Sequence, residues 1–288
     1  MSEPSRTGDS AVRIALLYPE LLGTYGDGGN ATIVAQRLRW RGIPADIIEV
    51  TADDAIPASC DLYVLGGGED GPQVEASRRL AAGGVLAGRV ADGAVVFAVC
   101  AGMQLVGNAF PGADGESVPG LGILDCTTER TGEPRAVGEL LVEADPSLGL
   151  GVDPSGTNGP MQLTGFENHA GRTRVGRRAR PLGRVVAGVG NGSIGTDTRG
   201  QATEGAVATD ARVVGTYLHG PALARNPALA DLLARWVVGG DLPALDPERA
   251  GIDAESELLR AERLAAVRAG NLDGVLHRTW RDRLLGRN

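Results

Sequence analysis

The run AVVFAVCAGMQ, residues 94–104, decides the fold. Ala94 to Val99 is uninterrupted apolar sequence, as expected of a strand buried on both faces. It runs straight into Cys100, with Ala98 two residues before the cysteine and Gly102 two residues after it. Small residues at those positions permit the sharp strand-to-helix turn of a nucleophile elbow. That turn would stand Cys100 at the carboxyl end of a parallel strand, where open α/β sheets bind their ligands. The first amides of the following helix would favour a thiolate there. A free cysteine is otherwise a small buried hydrophobe; Cys60 and Cys126 take that reading, and the elbow context sets Cys100 apart.

Outward from this run the pattern repeats. Arg13 to Tyr18, Ala45 to Val50 and Asp61 to Leu65 are apolar strands, and the third ends in Gly66-Gly67-Gly68. Between them lie a glycine-rich loop, GTYGDGGN at 23–30, a helical stretch after it, and one amphipathic helix expected over Pro72 to Val90. Strands alternating with helices predict an α/β fold, a layered parallel sheet flanked by helices. The middle of the chain differs. Gly120–Cys126, Gly138–Ala144, Thr164–Val175 and Arg184–Val189 are short β-like pieces, expected as hairpins elaborating the sheet edge. Alternation returns with Ala206–Ala208, the strand Arg212–Leu218 and a helix over Pro227–Val238. Pro247 to Gly270 is charged and helical, and a short tail with Trp280 follows, so a helical C-terminal appendage is expected.

Composition narrows the chemistry. The 288 residues carry 28 basic and 36 acidic side chains, and every basic one is arginine. Without lysine there is no Walker-type phosphate loop and no Schiff base. A net charge of −8 argues against a general nucleic-acid binder. The first dozen residues are polar and no apolar run reaches membrane-spanning length, so a cytoplasmic protein without a transmembrane segment is expected. Three scattered cysteines and three distant histidines form no zinc pattern, so no metal is expected.

A cysteine nucleophile needs a base from elsewhere in the chain. His219 ends the strand VVGTYL and so reaches a carboxyl edge; its other reading is a capping or core histidine. His169, in GFENHAG, is the rival base, its loop setting favouring a wall or structural role, and His277 lies in the tail. Backbone amides of Gly67, Gly68 and Ala101 are placed to stabilise an oxyanion, although a glycine triplet is also an ordinary βα turn. The loop at 23–30 lacks both G-x-G-x-x-G and lysine, which leaves nucleotide binding there unsupported. The arginines 172, 174, 177, 178, 180 and 184 read as a solvated face, with docking of a partner or anionic substrate as the alternative.

GGGED, VFAVCAGMQ and YLHG, in that order, resemble the class I, cysteine-nucleophile glutamine amidotransferases. YGDGGN, GLGILDCTTER, PRAVGELLVE, TGFENHAGRT and YLHGPALARNP resemble the cobyric-acid-synthase-like branch, and within it the glutaminase subunits of lipid II isoglutaminyl synthases. The likeness spans about residues 12–240, and residues 241–288 lie outside it. It implies Cys100 as nucleophile, His219 as base and acid, and Arg135 as a contact to glutamine. A guanidinium suits an α-carboxylate, while the residues alone favour a surface arginine on a hairpin. The resemblance also implies a heterodimer with a Mur-ligase-like partner, MurT, which would bind ATP and lipid II, leaving no cofactor on this chain. The alternatives are a glutaminase serving another synthetase, such as one amidating a corrinoid, and a non-catalytic relative. One departure stands out. Class I members read H-P-E, whereas Pro221 sits two residues after His219. The third member would then be a carboxylate elsewhere, absent, or supplied by the partner.

Overall fold

The computed structural model describes residues 10–23, 25–151 and 159–269. Its first half alternates β1 (Val12–Leu17), α1 (Gly29–Arg39), β2 (Ala45–Val50), β3 (Leu62–Leu65), α2 (Asp70–Ala81), α3 (Val85–Ala91), β4 (Val95–Val99) and α4 (Ala101–Val106). The middle is strand-rich: β5 (Ala109–Pro111), β6 (Ser117–Pro119), β7 (Cys126–Glu129), β8 (Ala136–Ala144), β9 (Gln162–His169), β10 (Arg172–Val175), β11 (Ala179–Arg180), β12 (Gly183–Ala187) and β13 (Thr203–Glu204). The last part holds β14 (Ala206–Ala208), β15 (Val213–Thr216), α5 (Ala222–Arg225), α6 (Pro227–Val238) and α7 (Pro247–Arg268).

The central sheet has seven strands in the order β11-β14-β15-β4-β3-β1-β2. The five from β15 to β2 are parallel, and β14 and β11 extend the edge antiparallel. Every residue of β3 and β4 is buried, which is why both read as unbroken apolar runs. The α/β architecture expected from the first hundred residues is therefore present, with α1 packed on α6 and α2 on α4.

Three expectations are corrected. The single helix over Pro72–Val90 breaks in two, because Gly83 and Gly84 take left-handed φ of 79° and 62° between α2 and α3. The middle hairpins do not merely elaborate the sheet edge. They build two further four-stranded sheets, β10-β7-β5-β6 and β13-β12-β8-β9. Gly120–Asp125 is no strand, because its amides cap α4 instead: Leu121, Ile123 and Leu124 donate to the carbonyls of Leu105 and Val106.

The appendage is helical as far as Arg268 and packs on the body. Buried Arg37 of α1 reaches both Asp231 of α6 and Asp253 of α7 at 2.6–2.9 Å, while Arg260 donates to the Gln162 carbonyl. His277 and Trp280 lie outside the described residues. Among the described residues no helix is long and apolar enough to cross a membrane.

Candidate active site

Cys100 sits where β4 turns into α4, with φ 51° and ψ −107°, a conformation that L residues rarely adopt. Its amide donates to Thr216 O at the end of β15, at 2.8 Å. The turn tolerates no side chain at position 102, since a Cβ on Gly102 would lie 2.7 Å from Leu65 Cβ and 2.9 Å from the Leu65 carbonyl. The small residue two places after the cysteine thus has a steric cause.

His219 follows β15, the strand beside β4, so it arrives at the same carboxyl edge. The backbones of His219 and Phe166 bond in both directions and pin that edge to β9. The imidazole Nδ1 meets Asp27 Oδ2 at 2.8 Å, with both side chains buried. Nε2 is thereby the ring nitrogen left for Cys100. Burial alone would lower the pKa of His219, but its interactions with Asp27 and Cys100 outweigh that and raise it to about 10.

Asp27 is the residue the sequence reading missed. It belongs to the loop between β1 and α1 and reaches His219 across the ends of β3 and β4. The crossing explains the middle glycine of the triplet. A Cβ on Gly67 would lie 2.6 Å from His219 Cε1 and 3.1 Å from Asp27 Oδ2. The Gly67 amide donates to the same Asp27 oxygen at 2.9 Å. The expectation of Gly67 as an oxyanion donor is corrected accordingly: its N–H is used to hold Asp27. Gly68 and Ala101 do line the cleft beside Cys100. The one trace of Asp27 in the sequence is an acid among the glycines of the loop at 23–30, which does not by itself point to His219.

The lining of the cleft includes Cys100, His219, Tyr25, Glu69, Gln104 and Arg135. Arg135 precedes β8 and faces the site from the sheet formed by β8 and β9. Its Nε donates to Asn168 Oδ1 and its Nη2 to the Asn168 carbonyl at 3.2 Å. Asn168 Nδ2 in turn donates to the Tyr25 hydroxyl. The Tyr25 ring stands edge-on to His219, with centroids 4.8 Å apart. A chain of contacts therefore crosses the cleft from the arginine to the histidine.

His169 is not in a loop but ends β9, and it is buried. Its Nε2 lies 3.2 Å from Glu167 and its Nδ1 3.0 Å from the Gly171 carbonyl, while the ring stacks on Tyr217. Both ring nitrogens are engaged, so it serves as wall and support. Among the described residues, no three His, Cys, Asp or Glu side chains are gathered as a metal site would require.

Residues 13–227 match the model of the CobB/CobQ-like glutamine amidotransferase domain. The GatD subunit of the glutamine-hydrolysing lipid II isoglutaminyl synthase of Staphylococcus aureus (strain N315) is 33% identical over 239 residues, covering 82% of this chain and 88% of that protein. Its namesake from Streptococcus pneumoniae (strain ATCC BAA-255 / R6) is 32% identical over 223 residues, covering 76% and 77%. A solved glutamine amidotransferase superposes with TM-score 0.50 at 19% identity, covering 78% of this chain and 98% of that one, which is a likeness of fold. With three quarters of its length inside one family model, the chain belongs to the CobB/CobQ-like glutamine amidotransferases.

Proposed function

We propose that this chain is the glutaminase subunit of a lipid II isoglutaminyl synthase, with Cys100, His219 and Asp27 as its reacting triad. The observation that carries the mechanism is His219, held through Nδ1 by buried Asp27 and coupled on its other side to Cys100. Asp27 fixes the ring orientation and the tautomer, which leaves Nε2 to exchange a proton with the thiol. The Cys100 proton passes to His219, and the thiolate sulfur bonds to the side-chain amide carbon of glutamine. The oxyanion so formed points to the cleft wall at Gly68 and Ala101. The imidazolium so formed, favoured by Asp27, gives its proton to the departing nitrogen, so ammonia leaves and a thioester remains. Water, deprotonated by His219, cleaves the thioester to glutamate and restores the thiol.

Arg135 is the group suited to the α-carboxylate, because its planar fork donates to two carboxylate oxygens together. Family membership and the two GatD relatives support lipid II amidation as the destination of the ammonia. A cytoplasmic, Mur-ligase-like partner such as MurT would then use ATP to activate the carboxyl group that is amidated. This chain itself carries no lysine for such a phosphate site.

Two measurements test the reading. Cys100→Ala should abolish glutamate release from glutamine, and residual hydrolysis at the wild-type rate would remove Cys100 from the mechanism. Glutamine-dependent amidation of lipid II should require a co-expressed Mur-ligase-like protein. Amidation of a corrinoid in its place would reassign the ammonia.

A further inference from the structure

Among the six arginines that read as one solvated face, Arg174, Arg177, Arg178 and Arg184 are exposed, whereas Arg172 is 2% exposed. Every nitrogen of its guanidinium donates a hydrogen bond. Nε donates to Glu133 Oε2 at 2.7 Å and Nη2 to the Pro134 carbonyl at 2.7 Å. Nη1 donates to the carbonyls of Gly171 at 3.0 Å and Ala170 at 3.3 Å. These acceptors form two groups. Glu133 and Pro134 immediately precede Arg135, while Ala170 and Gly171 line the cleft beside Asn168, the residue that holds Arg135. One buried cation thus ties the segment before Arg135 to the segment that leaves β9, its neighbour across the β8–β9 pairing.

The surroundings are shaped for this group. Glu133 is fixed from its other oxygen by Ser193 Oγ. Gly192 has φ +77°, and a Cβ on it would lie 1.9 Å from Arg172 Cδ, so the arginine stem fills the space that a side chain there would need. A buried guanidinium is costly unless its donors are satisfied, and here the satisfying acceptors are the two segments that frame the cleft.

We infer that Arg172 is a positioning residue for the amino-acid end of the substrate: it holds Arg135 and the 170–171 wall at the separation that admits one α-amino acid. The inference rests on the glutaminase reading. It assigns Arg172 to substrate recognition and not to the chemistry at Cys100, which the central sheet positions without it. Lysine cannot replace it, because a single ammonium does not span acceptors on two segments in fixed directions.

The test compares two reagents for the same sulfur in the full chain, read by mass spectrometry of the Cys100 peptide. 6-Diazo-5-oxonorleucine carries the α-amino and α-carboxylate groups, and iodoacetamide carries neither. Arg172→Lys should slow labelling by the diazo compound about tenfold or more at subsaturating concentration, while iodoacetamide stays within about twofold of wild type. Glu133→Gln, a milder change at a half-exposed carboxylate, should give the same selective loss at about threefold, and decides the matter if Arg172→Lys does not fold. Parallel slowing of both reagents, or no loss with the diazo compound, overturns the inference. A wild-type protein that takes iodoacetamide at Cys100 but not the diazo compound overturns the glutaminase reading, and the inference with it.

Discussion

The two walls of the cleft are built by different means. On one wall Cys100 and His219 stand at the ends of neighbouring parallel strands, placed by backbone before any side-chain contact forms. On the other, Arg135 depends on Asn168, 33 residues away, and on the Arg172 contacts to the residues just before it. The first wall is rigid because β3, β4 and β15 are buried throughout. The second is held by a polar lattice between hairpins. A reacting thiol and base need orientation within a fraction of an ångström, which the sheet supplies. A carboxylate-binding arginine tolerates more. Each wall still uses one side chain to hold another: Asp27 holds His219, and Asn168 holds Arg135.

The largest effect should come from breaking the first of those pairs. Asp27→Asn keeps the size but removes the charge that favours a protonated imidazole, and where its amide nitrogen takes the place of Oδ2 it turns an N–H on both His219 Nδ1 and the Gly67 amide. A fall in kcat of about 10³–10⁴ is expected, with KM for glutamine nearly unchanged. The pH profile gives the sharper reading. Asp27 raises the pKa of His219, which stands at about 10, so the wild-type alkaline limb should lie near that pH. Without the carboxylate the pKa falls, and the limb should move to lower pH. A limb that stays in place would mean that Asp27 does not act on the base.

Gly67→Ala attacks the same wall by steric means alone. The new Cβ at 2.6 Å from His219 Cε1 forces the ring or the β3 turn to move, and about a 10²-fold loss of kcat is expected. Glutaminase assays on folded Gly67→Ala protein check this directly. Activity within twofold of wild type would show that the crossing of β3 is looser than its contacts indicate.

The first wall was largely legible in the sequence, and the reason is physical. A strand buried on both faces has no polar interruption, and an elbow requires small residues at 98 and 102, so composition and position carry the geometry directly. Asp27 was not legible, because its role arises where β1, β3 and β15 converge, and no spacing along the chain encodes that convergence. Arg172 shows the same limit from the other side. It stands in a run of arginines with identical local character, and only the Glu133 and Pro134 acceptors, brought in by the segment before β8, distinguish it from Arg174. The middle strands were visible individually, but their grouping into two additional sheets depends on pairings such as Arg172 with Glu129 across 43 positions.

On the second wall, Arg135→Lys should leave kcat within about twofold and raise KM for glutamine about 10- to 100-fold, because a point charge replaces a bidentate fork. Equal losses in kcat and kcat/KM would place Arg135 among groups acting only in the transition state.

The smallest effect tests whether the two walls communicate. Tyr25 touches both, accepting from Asn168 through its hydroxyl and packing its ring edge against His219. Its backbone takes φ 64°, uncommon for a non-glycine residue, so the loop holds the ring over the histidine at a conformational cost. Tyr25→Phe removes only the hydroxyl link. Losing one hydrogen bond to a side chain already fixed by Arg135 is worth about 1 kcal/mol, so KM should rise no more than about fivefold while kcat is unchanged. Tyr25→Ala also removes the ring that shields the imidazole, and kcat should then fall as water reaches the Asp27–His219 pair. If Tyr25→Phe lowered kcat as much as Tyr25→Ala, the hydroxyl and not the ring would couple the walls. The arginine side of the cleft would then bear on the reacting side through a single hydrogen bond.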